Sequence, residues 1–256
     1  MTSLGNEILL FRSQRRNQVE VYDVITYRLL RRLTVPNAHG FIDMTSCEHY
    51  HCLYIGDHCV NSVHRLDAHG ASKRWPVDDE PFGLSVNAAR NVIVTCPAVR
   101  KIKEFSSHGK LLRELTLSDD IIHPLHTIQS RSGQFIVCHG DGYDPIHRVC
   151  MISADGRHVV HSHGGQQGSD IGQYNMPSHL AVDHSDNECV YVVDSFNRRV
   201  TLLSPTLSYI RQVVSSDKPK WRPFILYLDV QRRRLYVTDN EWKDQKSTGR
   251  VLVFSV

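Results

Sequence analysis

The sequence predicts an all-β chain folded as a six-bladed β-propeller with four-stranded antiparallel blades and incomplete terminal blades. Three observations predict it: short runs of period-two alternation, no helical periodicity of useful length, and three landmarks that return in one order at a spacing of about 43 residues. The fullest unit runs from Met176 to Ser204. It opens at Pro177, alternates through Leu180 and Val182, turns at His184 to Asn187, alternates from Val190 to Val193, turns at Asp194 to Arg198, and alternates again to Leu203. Three short strands therefore fit within about thirty residues.

The strand ending at Asp194 has counterparts ending at Ser13, Asp57, Cys96, Cys138 and Asp239, at intervals of 44, 39, 42, 56 and 45 residues. A proline precedes the first strand of a unit at Pro81, Pro124, Pro177 and Pro223, and His39 to Phe41 stands at the equivalent point of the second unit. The turn after the third strand ends in glycine at Gly70, Gly109 and Gly156; glycine there supplies the positive φ of a tight antiparallel connection. With strands lettered A to D outward, the A strands begin near Phe41, Phe82, Leu125, His179 and Phe224, and the D strands near Tyr27, Ser72, Lys110, Arg157 and Tyr209. The first unit is expected to begin at its B strand, Glu7 to Phe11, and the sixth to stop after its C strand. Residues upstream of Met1 would then belong to the natural protein. The whole chain, 1–256, is expected to be one propeller domain.

Composition sets the outer limits. With 256 residues, 41% hydrophobic and 22% charged, the chain is long enough to bury a full core without crosslinks. Its seven cysteines are odd in number and lack framework spacing, and the start has no basic segment leading into an apolar run. Reduced thiols and a cytoplasmic setting are expected. No apolar run approaches the length of a membrane span. A net charge of +3 is too small to imply a nucleic-acid partner by itself.

At Gly172 to Asp183 followed by VYVVDSFNRRVTLL the chain resembles the NHL repeat: Asp194, Asn197, Arg198, Arg199 and Val200 match its D-x-x-N-x-R-[VI] core. The other units keep the framework, with Cys96 and Cys138 in place of the aspartate and Val60 and Val99 in place of the asparagine. The chain is similar to the C-terminal domain of the tripartite-motif NHL proteins. That resemblance implies a module that binds RNA or protein behind RING, B-box and coiled-coil segments. No RING-type zinc pairs occur in this sequence, so ubiquitin-ligase activity would lie in other domains.

In an up-and-down blade the B–C loops and the D–A crossovers emerge at one end, which places a candidate ligand-binding rim. It carries Arg15, Arg16, Arg100, Lys101, Arg198, Arg199, Arg222 and Arg250, with Lys218, Lys220, Lys243 and Lys246 nearby. Tyr143, Tyr174, Trp221 and Trp242 offer flat rings. Cations for phosphate and rings for bases suit single-stranded RNA; acidic neighbours such as Asp141, Asp144, Asp194 and Asp239 offset the positive charge, and a protein or peptide is the other ligand expected on this rim. Two rim connections, between Cys138 and Val149 and between Asp239 and Val251, are longer than the fifth unit's and read equally well as binding insertions or as tolerated insertions without a role. The segment Gly164 to Asn175 reads as a flexible crossover. The expected partner is protein or single-stranded RNA, with no membrane, no metal and no small-molecule cofactor.

The alternative is a metal-dependent lyase or hydrolase. His126 and His179 occupy one repeat position in adjacent units, and two imidazoles could hold zinc with a third ligand such as His39 or His139. The peptidyl-hydroxyglycine amidating lyases resemble this arrangement, although their histidine directly follows the proline. The Cys47, Glu48, His49, His51, Cys52 cluster fits no structural zinc spacing and reads as a turn followed by a buried cysteine.

Overall fold

The computed structural model describes residues 1–11, 17–67, 70–184, 188–215, 221–243 and 246–256, with side chains for all of these except 240–243 and 246–249. Among these residues every regular element apart from one 3-10 turn at Glu48–Tyr50 is a strand, and the strands form six antiparallel sheets. The sheets are the blades of a six-bladed β-propeller, as the sequence predicts. No helix among the described residues is long and apolar enough to cross a membrane.

Contacts divide the chain into two compact units, Met1–Glu114 and Leu115–Val256. The first holds blade 1 (β1 Thr2–Leu4, β2 Glu7–Phe11, β3 Gln18–Asp23, β4 Leu29–Thr34) and blade 2 (β5 Phe41–Cys47, β6 Cys52–Asp57, β7 Ser62–Asp67, β8 Ser72–Pro76). Blade 3 follows with β9 Gly83–Val86, β10 Val92–Cys96, β11 Lys101–Phe105 and β12 Leu111–Thr116. The second unit holds blade 4 (β13 Pro124–Gln129, β14 Phe135–His139, β15 Ile146–Ile152, β16 Val159–Gln166) and blade 5 (β17 Pro177–Val182, β18 Val190–Asp194, β19 Arg199–Leu203, β20 Tyr209–Ser215). Blade 6 has three strands, β21 Pro223–Asp229, β22 Arg234–Lys243 and β23 Lys246–Ser255.

Burial grades across each blade. Strand B is covered on both faces, so β6, β10, β14 and β18 are buried along their whole length, and they read as unbroken apolar runs such as VYVV. Strand D is the sheet edge; β4 and β12 are mostly exposed. Arg31 and Arg32 on β4 pair with Glu7 and Glu20 of the inner strands, and charge on an edge strand discourages pairing with another chain. Apolar clusters fill the space between blades. One joins Leu9, Val19 and Val21 of blade 1 to Leu53 and Ile55 of blade 2; another joins Tyr54, Val63 and Trp75 of blade 2 to Val92, Val94 and Phe105 of blade 3. In the second unit Val193, Val200 and Trp221 pack on Leu226, Leu235 and Val237.

The glycine turn is required by geometry at Gly109. Its φ is +87°, and a Cβ there would lie 2.5 Å from the ring of Trp75. Removing the side chain lets the C–D turn of blade 3 close over the buried indole of blade 2.

Two sequence expectations need correction. Blade 1 does have an A strand: Thr2, Ser3 and Leu4 pair with Leu9, Ile8 and Glu7, and three residues were enough. In blade 4 the aspartate position is held by His139 rather than Cys138. Pro124 pairs with His139 just as Pro177 pairs with Asp194 and Pro223 with Asp239, each beside a bulge in the A strand.

Candidate functional site

In blades 2, 4 and 5 the B–C loop is tied to the incoming crossover. The backbone N–H of His58 donates to the Gly40 carbonyl, that of Gly140 to Ile122, and those of Ser195 and Phe196 to Met176 and Asn175. The strand-end aspartates complete the tie. Asp57 accepts from the His39 and Gly40 N–H groups, Asp194 from that of Asn175, and Asp239 from that of Arg222.

In blade 5 the D-x-x-N-x-R residues form a latch. Asp194 is fully buried and accepts from Asn197 at 2.8 Å and from Arg199 Nε at 2.7 Å. Asn197 also donates to the Gly168 carbonyl, and Arg199 reaches the carbonyls of Ser169, Asp170 and Gln173. The segment Gly164 to Asn175 is therefore partly strand β16 and partly a clamped crossover, not a loose one. Burial pushes the Asp194 carboxyl up to about 6, against the pull of the bonds from Asn175, Asn197 and Arg199; it is still ionised at neutral pH, as its ion pair requires. Arg250 makes the same pairing to Asp239 in blade 6, at 2.6 Å.

These contacts redistribute the predicted rim residues. Arg199 and Arg250 face internal carboxylates, and Lys101 pairs with Glu114 at 2.7 Å. Arg100 is half-buried at the end of its turn with φ +52°, and Arg198, also half-buried, has φ +55°. Trp221 is 1% exposed and Tyr174 equally buried, so neither is a stacking surface: the indole belongs to the core between blades 5 and 6, and the Tyr174 hydroxyl lies 3.2 Å from that of Thr201. Arg15, Arg16, Lys218 and Lys220 lie outside the described residues, as do the side chains of Trp242, Lys243 and Lys246.

Two aromatic rings stand exposed at the B–C end of the second unit. Tyr143 stands fully in solvent at the tip of the Gly140–Pro145 turn, and Phe196, 38% exposed, occupies the next blade's turn. The Arg222 guanidinium sits over the Phe196 ring at 5.1 Å. The blade 4 loop reaches the same ring, since a Cβ on Gly142 would lie 3.0 Å from it. Ile171, in the clamped crossover, is also exposed. The blade 4 loop is held by His147, whose Nδ1 accepts from the Met176 N–H and whose Nε2 lies 3.0 Å from the Asp144 carbonyl, and by Asp144, which meets His123 Nδ1 at 2.8 Å. Sequence reasoning missed Phe196 and Ile171 because each sits singly among polar residues. The blade 6 insertion is different in kind: Asn240 to Lys243 pair with Lys246 to Gly249, so it extends a ten-residue hairpin instead of forming a loop.

The two repeat-position histidines do come together. His126 and His179 are buried, and their rings stack at 3.8 Å with 24° between planes. His139 does not join them, having Nε2 3.5 Å from Cys150 Sγ. Burial, with Arg148 adding to it, pushes the His139 imidazole down to about 4, and burial pushes the Cys150 thiol up to about 12. That contact joins a neutral ring to a neutral thiol and is no nucleophile pair. In the first unit His39 is held through its backbone N–H by Asp57. Cys47 and Cys52 face each other in the core as strand partners, while His49 and His51 are exposed, so the hairpin gathers no metal-binding group.

Six antiparallel sheets taken in chain order, with crossovers tied to B–C turns in blades 2, 4 and 5, give this chain the six-bladed β-propeller architecture. Among solved structures it is similar to a catalytically inactive virginiamycin B lyase from Staphylococcus aureus with quinupristin, at TM-score 0.68 and 11% identity over 99% of this chain and 82% of that one. It is also similar to Kuenenia stuttgartiensis hydrazine synthase, at TM-score 0.65 and 15% identity over 93% and 75%. A Bacteroides caccae protein of unknown function matches at TM-score 0.66 and 14% identity over 94% and 85%. At such identity the likeness concerns the fold alone. No protein-family model and no curated protein sequence matches the chain.

Proposed function

We propose that this chain is a non-enzymatic recognition module of NHL type, acting in the cytoplasm, that binds a protein partner at the B–C end of blades 4 to 6. The observation that carries this reading is the exposed cluster of Tyr143, Phe196 and Arg222 on turns anchored by hydrogen bonds. Aromatic rings and arginine on a rigid base are the composition of protein-binding hot spots. RNA has less in its favour, because Lys101, Arg199 and Arg250 already face carboxylates and two of the four rings proposed for stacking are buried. Replacing Tyr143 and Phe196 by alanine should remove a bound partner while leaving the melting temperature unchanged. Retention of every partner by that variant would defeat the reading.

A second reading, a metal-dependent lyase or hydrolase, has the stacked His126 and His179 in its favour, and a virginiamycin B lyase shares the fold. Metal content of the purified chain, compared with that of His126→Ala, separates the two. Stoichiometric metal lost in the variant would favour the enzyme.

A further inference from the structure

We propose that Cys59, His58 and Glu80 form a reactive-thiol site on blade 2 that takes low-molecular-weight disulfides. Cys59 is exposed, five of the other six cysteines are buried, and Cys189 is partly so. Burial pushes the Cys96 and Cys150 thiols up to about 12 and raises Cys189, which silences them as nucleophiles at neutral pH. Cys59 Sγ lies 3.7 Å from His58 Nε2, and the opposite ring nitrogen of His58 lies 3.7 Å from Glu80 Oε1. The imidazole thus has a thiol on one side and a carboxylate on the other, the order in which a base is oriented toward a nucleophile.

The backbone under Cys59 and His58 is fixed. Buried Asp57 accepts from the N–H groups of His39, Gly40 and Cys59, and the His58 N–H donates to the Gly40 carbonyl. Gly40 is the cradle: a Cβ there would fall 2.5 Å from Cys59 Sγ and 2.8 Å from His58 Nε2. Blade 5 shows what the same turn does elsewhere. There Asn197 holds the crossover, whereas its counterpart in blade 2 is Val60 and the side chains of His58 and Cys59 point to each other instead.

The step balances without a further oxidant. His58 takes the thiol proton, the Cys59 sulfur attacks one sulfur of the disulfide, the S–S bond breaks, and the leaving thiolate takes a proton from His58. Cys59 is oxidised to the mixed disulfide and the released half is reduced to a thiol. With the other cysteines buried or partly so, no intramolecular disulfide follows, and the cap stays until an external thiol removes it.

Intact-mass kinetics with glutathione disulfide near neutral pH test this. Wild type should acquire one fast adduct, mapped to Cys59, and Cys59→Ser none. His58→Gln should slow the adduct about tenfold, with added imidazole restoring part of the rate, and Gly40→Ala should slow it as well. Circular dichroism checks that each variant is folded. A folded His58→Gln protein reacting at the wild-type rate, or first modification at another cysteine, would overturn the proposal. So would a wild-type rate no greater than that of a free peptide spanning residues 54–64.

Discussion

Acidification should destabilise this protein through His139, and the size of the effect follows from its surroundings. The imidazole is completely buried in β14 between the Cys150 thiol and the charge of Arg148, and its pKa falls from 6.5 to about 4. The folded state therefore holds the ring neutral where the unfolded chain would protonate it. Its contribution is fully present above 6.5, the unfolded value, and is lost as pH falls toward the folded value. At 1.36 kcal/mol per unit, the full loss is about 3 kcal/mol, of which about 2 is already gone near pH 5. Urea unfolding of wild type and His139→Gln between about pH 7 and pH 4.5 isolates the term, because the glutamine cannot titrate and the remaining groups are shared. The wild type should lose about 2 kcal/mol more than the variant by about pH 5. Parallel curves, or a nitrogen NMR spectrum showing a charged His139 near pH 5.5, would refute the reasoning.

Other outcomes follow from the same structure. Gly109→Ala should cost about 2 kcal/mol or more, from the left-handed backbone and the collision with Trp75, read as a lower denaturation midpoint with unchanged slope. Arg199→Ala leaves buried Asp194 without its cation and should cost about 3 kcal/mol; hydrogen exchange should rise from Gly168 to Gln173, and a variant with protection unchanged there would show that the latch is not what holds the crossover. Arg198→Glu, by contrast, touches no such latch and should leave stability within about 0.5 kcal/mol, which makes it the right charge reversal for testing RNA.

The fold was legible because a propeller writes itself in strand alternation and repeated turns. Pro177, the run at Val190 to Val193 and the glycines at 70, 109 and 156 were each read in their correct places. The A strand of blade 1 was not, since Thr2 to Leu4 is too short to show a period. The assignment of Cys138 to the aspartate slot failed at a bulge between Pro124 and His126, and a bulge shifts register without leaving a mark in composition. The site was harder. The D-x-x-N-x-R residues were recognised as a motif, but nothing in their spacing says that Asp194 is buried, so Arg199 was read as a ligand contact when it is a clamp. Trp221 was misplaced for a related reason: an aromatic beside a basic stretch suits a surface or a core equally well. The insertion after Asp239 looked like a loop because it is polar, yet a hairpin extended beyond its sheet can be polar on both faces.

The central claim is that the aromatic cluster on blades 4 to 6 is a protein-binding surface. The most direct test is quantitative affinity capture with the wild-type chain and the Tyr143→Ala, Phe196→Ala, Arg222→Ala variant side by side. Captured proteins and crosslinked RNA are measured from the same eluates, and binding of any variant-sensitive protein is then repeated with purified components. The account predicts at least one protein that binds the wild type directly and is lost from the folded variant, with RNA at background in both. Proteins captured equally by both, or RNA enriched on the wild type and lost on the variant, would contradict it.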